Sequence, residues 1–304
     1  MLRPSSRSSS SRRERAGSSI TTADGPVAAA ARRCARATIA YDGTAFAGSQ
    51  YQPNARTVQG ELEQALNRLT GERVKIRLAG RTDAGVHATG QVVAFCVPRR
   101  GGTDRGWPEL RERLNAILPA DLVVRSLRAA SPGFDPRRDA QWRVYRYRIL
   151  TDGTRRPLER HRTLEIDDRL DVAAMRAAAA RMVGERDFAS LGSNVHGRTV
   201  RHLAEVRVTR RGDLVEVRVT ANAFLRGMVR SIVAILMAVG LERLAPEAVD
   251  RLLAGDRRAL HGRAAPARGL TLERIVYRSA DNRTTTSAAS QDAATGQQGK
   301  PESS

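Results

Sequence analysis

The sequence predicts an α+β protein built from two units in which strands and helices are interspersed. Three observations carry this. Short apolar–polar alternations of strand period recur along the chain between segments of helical period. Val206–Val208 and Val215–Val219 flank Arg210-Arg-Gly-Asp213, the pattern of a β-hairpin. The second half of the chain repeats the strand and helix grammar of the first, although no sharp internal sequence repeat links them.

The elements follow in order. Arg36 to Tyr41 alternates as a strand, and the following DGTAFAGSQYQPNAR is a glycine-punctuated loop. Thr57 is placed to N-cap a helix that carries Val58, Leu62, Leu66 and Leu69 on one face, with Glu61 and Glu63 near its positive end. Val74, Ile76 and Leu78 alternate with Lys75 and Arg77 as a half-buried strand. Gln91 to Val97 is a further strand, and Pro108 to Leu118 a helix opened by its proline. Next come a strand over Gln141 to Leu150 and an alanine-rich helix from Asp171, its N-cap, to Val183. Beyond the hairpin the pattern predicts an apolar helix from Leu225 to Val239, another from Pro246 to Leu253, and a closing strand from Leu270 to Tyr277. The expected division is 34–130 and 131–279. A disordered Arg/Ser-rich arm at 1–33 and a polar tail at 280–304 have nothing to bury.

Composition narrows the function. The 304 residues are 41% hydrophobic, enough for a core, but only 4% aromatic, so aliphatic side chains must build it. The net charge is +20, and Lys75 and Lys300 are the only lysines among 52 basic residues. Arginine's planar fork grips phosphate and stacks on bases, so this balance points to a nucleic-acid partner. Codon bias in a GC-rich genome also yields arginine and alanine, so charge alone does not settle it. Cys34 and Cys96 are far apart without a CxxC pair, which indicates neither a zinc knuckle nor a disulfide framework. His196 and His202 lack nearby cysteines and make a poor metal site. Met228 to Val239 is too short to span a bilayer and contains Arg230. The chain therefore reads as cytoplasmic and metal-free.

The most informative stretch is Leu78-Ala-Gly-Arg-Thr-Asp-Ala-Gly-Val-His-Ala-Thr-Gly-Gln91. It sets Arg81 and Asp83 in a loop whose Gly80, Gly85 and Gly90 permit tight turns and close approach of a bulky ligand. A cation two residues away favours an ionised Asp83. An isolated R-x-D of this kind is usually only a turn with a solvated ion pair.

The full run is more specific. From Ala79 to Gln91 it resembles A-G-R-T-D-A-G-V-H-x-x-G-Q, the active-site motif of the TruA family of tRNA pseudouridine synthases. Further blocks are similar to that family in its order. They are Tyr41-Asp-Gly-Thr, Thr57-Val-Gln-Gly-Glu-Leu-Glu, Leu114-Asn-Ala-Ile-Leu-Pro-Ala-Asp121, Phe134-Asp-Pro-Arg137, Trp142-Arg-Val-Tyr-Arg-Tyr147, Asn222-Ala-Phe-Leu-Arg-Gly-Met-Val-Arg230 and Ala265-Pro-Ala-Arg-Gly-Leu-Thr-Leu272. Two positions depart from the pattern. Ser49 stands where the family has tryptophan in G-W-Q, and Pro136 replaces a small residue beside Arg137.

The resemblance implies two ferredoxin-like α+β halves joined in one mainly antiparallel sheet flanked by helices, with a basic cleft. It implies isomerisation of uridine at one or more of positions 38, 39 and 40 of the tRNA anticodon stem-loop. Asp83 would be the catalytic carboxylate and Arg81 the residue that helps to hold the nucleotide extruded. Tyr145 would contact the base, and Arg230 would pair with the carboxylate. The reaction needs no cofactor, because no atom is gained or lost. The partner would be tRNA, met by a homodimer along a surface that includes Arg137, Arg138, Arg226 and Arg268. The alternative is a non-catalytic RNA-binding or RNA-chaperone protein on the same scaffold, which would dispense with Asp83. A hydrolase is weaker still, since no second carboxylate accompanies Asp83 in the motif.

Overall fold

The computed structural model describes residues 32–98, 106–192, 197–256 and 264–278. Nearly all of the predicted arm, the tail at 280–304, and His196 lie outside the described residues.

In the first half, β1 (Arg32–Tyr41) leads through a turn at Gly43–Ala45 to α1 (Val58–Thr70). Then follow β2 (Arg77–Leu78), β3 (His87–Pro98), α2 (Trp107–Ile117) and β4 (Leu122–Ala129). The second half contains β5 (Ala140–Leu150), β6 (Leu164–Glu165), α3 (Val172–Arg181), β7 (Gly184–Asp187), β8 (Val200–Arg211), β9 (Leu214–Ala221), α4 (Met228–Gly240), α5 (Ala248–Leu253) and β10 (Leu270–Tyr277). The strands form one sheet in the order β4-β1-β3-β10-β5-β9-β8-β7, with β2 on β3 and β6 on β5. Pairing is antiparallel except for β3–β10 and β5–β6. The sheet is therefore α+β, mainly antiparallel and flanked by helices.

The expected caps form. The Thr57 hydroxyl accepts from Gly60 N at 3.1 Å, and Asp171 accepts from Ala173 N and Ala174 N at 2.8 and 3.0 Å, supplying acceptors to otherwise orphaned helix donors. The core lies on one face of the sheet. Ala35, Ala37, Ile39 and Tyr41 of β1 are buried, as are Tyr145, Tyr147 and Ile149 of β5 and Val215, Val217 and Val219 of β9. The opposite face is charged: Arg146 pairs with Glu216 and Glu273, and Arg218 with Glu273.

Three expectations need correction. The strand expected over Val74–Leu78 shrinks to Arg77–Leu78. Side chains of α1 take the missing donors instead, Asn67 Oδ1 accepting from Val74 N at 2.6 Å and Glu63 Oε1 from Ile76 N at 3.1 Å. Strand β4 was not foreseen. The third correction concerns the cysteines: Cys34 and Cys96 form a disulfide. The antiparallel register of β1 and β3 sets these residues opposite one another, 62 positions apart in sequence, so spacing alone does not reveal the bridge.

The two halves meet where β10 pairs with the start of β3, Thr271 beside His87 and Leu272 beside Ala88. The Arg81–Asp83 loop runs directly into that joint.

Candidate active site

The loop from Ala79 to Val86 is pinned along most of its length. Ala79 N donates to Val92 O at 2.8 Å. The Gln91 side chain holds the Gly80 peptide from both sides, its Nε2 donating to Gly80 O at 2.7 Å and its Oε1 accepting from Gly80 N at 3.3 Å. Thr82 bonds to Ser49 through its backbone, and its Oγ1 lies 2.8 Å from the Tyr41 hydroxyl. Val86 N closes a turn onto Asp83 O at 3.2 Å, with Gly85 at φ +78°, a left-handed conformation that glycine adopts without a Cβ penalty. The carboxylate of Asp83 is thus carried on a fixed backbone.

Arg230 comes to it from the first turn of α4. Its NH1 stands 3.4 Å from Asp83 Oδ2, while its Nε donates to Ala265 O at 2.6 Å. The side chains are 25% and 33% exposed, so the pair is open to a ligand without being fully solvated. In such a pair the cation offsets part of the cost of desolvating the carboxylate when a ligand displaces water.

Tyr145 projects from β5 on the same side. Its ring meets Phe224 edge-on at 5.2 Å, and a Cβ on Gly80 would lie 4.0 Å from its hydroxyl. Burial pushes its hydroxyl well above the ordinary tyrosine range, with nearby Tyr41 and Asp83 adding to the shift. Tyr145 is therefore a neutral ring at physiological pH. Tyr147, one repeat along the strand, donates to Pro266 O at 2.8 Å and fixes the loop that receives Arg230.

Arg81 behaves differently. It is exposed and makes no hydrogen bond or ion pair with any described residue, which leaves its guanidinium available to an anionic ligand. The structure brings Asp83, Arg230 and Tyr145 together and sets Arg81 at the rim of the same loop. Arg137, Arg138, Arg226 and Arg268 are all exposed.

A family model described as tRNA pseudouridine synthase matches residues 37–133 and 178–278. The chain belongs to the tRNA pseudouridine synthase family. It is 43% identical over 244 residues to tRNA pseudouridine synthase A of Citrifermentans bemidjiense, covering 79% of this chain and 95% of that one. The protein of that name from Chloroflexus aurantiacus is 44% identical over 248 residues, with 79% and 87% covered. The one from a Thermotoga species is 41% identical over 244 residues, with 79% and 98% covered. Membership makes the chain an isomerase that acts on tRNA.

Several residues of the synthase that shape this site were not singled out from the sequence. Phe224 lies within a motif block, yet only the fold shows it against Tyr145. His87 is also in the motif. Its Nδ1 accepts from Gly43 N at 3.0 Å, which leaves Nε2–H to donate to Arg268 O at 3.1 Å, so the ring ties the two halves beside the Arg81–Asp83 loop. Pro136 is accommodated simply: it is buried, and its carbonyl accepts from the Tyr277 hydroxyl at 2.8 Å. No helix among the described residues is long and apolar enough to cross a membrane.

Proposed function

We propose that this synthase converts uridine to pseudouridine at one or more of positions 38, 39 and 40 of the tRNA anticodon stem-loop, with Asp83 as its catalytic carboxylate. The observation that carries the reading is the approach of Arg230 to Asp83 at 3.4 Å beside the neutral Tyr145 ring.

The reaction breaks the C1′–N1 glycosidic bond, turns the uracil, and forms a C1′–C5 bond. The proton on C5 leaves and N1 ends protonated, so atoms and electrons balance without an oxidant or group donor. Asp83 acts at the sugar, where a carboxylate serves as nucleophile or stabilises an oxocarbenium-like centre. Arg230 supplies the compensating cation. The uridine must leave its stack, at a cost of a few kcal/mol. Stacking on the Tyr145 ring recovers about 1–3 kcal/mol of that. Arg81 would then hold the flanking phosphate with its unengaged fork.

The substrate is read by shape and phosphate contacts along a basic cleft that includes Arg137, Arg138, Arg226 and Arg268. The resemblance also implies a cytoplasmic homodimer, with each cleft completed by the second copy. Light scattering on the purified protein tests the dimer, and a monomer under tRNA-modifying conditions would contradict it. Mapping pseudouridine on an unmodified tRNA transcript tests the target. Product confined to positions 38–40 is expected, and product elsewhere would overturn the assignment.

A further inference from the structure

We propose that Ser49 is a positioning residue for Asp83, through a paired hydrogen-bond bridge to the backbone of Thr82, the residue that precedes the carboxylate. The inference rests on the reading of Asp83 as catalytic and adds to it a role for a side chain where the family pattern has tryptophan.

Ser49 is fully buried. Its Oγ accepts from Thr82 N at 2.8 Å, and its own N–H donates to Thr82 O at 3.1 Å. Both backbone polar groups of the residue before Asp83 are therefore satisfied by one serine. The serine is itself anchored, since Ser49 O accepts from Gln59 N at 3.0 Å and Gly48 O from Val58 N at 3.3 Å at the start of α1. Gly48 permits this approach: its φ is +103°, and a Cβ there would stand 2.9 Å from Thr82 O. From the other side the buried Tyr41 hydroxyl lies 2.8 Å from Thr82 Oγ1. A chain of contacts thus runs from the first turn of α1 through Ser49 to Thr82, one residue from the carboxylate.

The geometry has a chemical consequence. The direction of the Asp83 side chain follows from the orientation of the Thr82–Asp83 peptide. The N–H on the other side of Thr82 is fixed by a side-chain oxygen and not by a strand ladder. Alanine at position 49 leaves that buried N–H without its acceptor, and the loop gains freedom to turn Asp83 off its line to the substrate. A small loss of aim at a reacting centre lowers the chemical step far more than binding.

The test compares Ser49→Ala, Ser49→Thr and Ser49→Val in the full chain, with Asp83→Asn alongside. Threonine and valine add nearly equal volume, so only the hydroxyl separates them. The expected result is that kcat falls about tenfold in Ser49→Ala and Ser49→Val while KM for tRNA stays within about twofold. Ser49→Thr is expected to recover most of the loss. Amide exchange at Thr82 is expected to quicken in the alanine and valine variants and to remain slow in the threonine variant. Equal loss in threonine and valine, or an unchanged kcat and Thr82 exchange in alanine, overturns the proposal. If Asp83→Asn itself keeps full activity, the catalytic reading fails instead, and the Thr82 exchange rates still decide whether the bridge holds the loop.

Discussion

Arg230 does two things at once, and its substitutions separate them. Its Nε serves Ala265 O while NH1 faces Asp83, so a point charge cannot replace the fork in both contacts. Arg230→Ala is expected to lower the single-turnover rate about 10- to 100-fold, with Arg230→Lys intermediate. A rate for the alanine variant equal to wild type would remove Arg230 from the site. Tyr145 is argued to act through its ring. Tyr145→Phe should retain tRNA affinity and most activity, whereas Tyr145→Leu should lose the roughly 1–3 kcal/mol of base stacking. Equal losses in both variants, measured by filter binding and single-turnover kinetics, would instead assign the role to the hydroxyl.

Elements show where the sequence could and could not be read. The β1–β3 pair is stapled by Cys34–Cys96, which closes a loop of 62 positions. Replacing both cysteines by serine is expected to lower stability by about 2–4 kcal/mol without altering kcat, read from denaturant curves with and without reductant. Identical curves would show that the bridge contributes nothing in solution. This staple was illegible because two isolated cysteines give no spacing signal until the strand register is known. Strand β4 was hidden for a related reason. Its buried residues are Leu122, Val124 and Leu127, and the step from two to three falls where a bulge skips Arg125 between the rungs Ile39–Val124 and Thr38–Ser126. Helix α1, by contrast, combines a capping threonine with a clean apolar face, and its start at Val58 follows from those residues alone. The site divides in the same way. Asp83, Arg81, Tyr145 and Arg230 are legible as motif positions, but the brace made by Tyr41, Ser49 and Gln91 depends on residues brought from three segments by folding.

At the scale of the whole molecule the core carries an alkaline liability. Burial raises the hydroxyl of Tyr41 to about 12, and those of Tyr145, Tyr147 and Tyr277 are also held neutral, chiefly by burial. The unfolded chain ionises these groups near pH 10, so their contribution is complete below about pH 10 and is lost as pH rises through the native values. The melting temperature should therefore drop steeply above about pH 10, and less steeply in Tyr41→Phe. A Tyr41→Phe curve parallel to wild type would contradict this. The net charge of +20 makes a second whole-molecule prediction. tRNA affinity should fall linearly on a log–log plot against salt, and Arg137→Ala with Arg138→Ala should reduce the slope by about two if both contact phosphate. An unchanged slope would place those two arginines outside the RNA surface.

The most direct test of the central claim is the pseudouridine yield of Asp83→Asn against wild type on an unmodified tRNA carrying uridines at positions 38–40, at equal folding and equal tRNA binding. Product from wild type and none from the variant is the predicted result. Product from Asp83→Asn at the wild-type rate would contradict it, because the carboxylate at the joint of the two halves would then be dispensable to the chemistry.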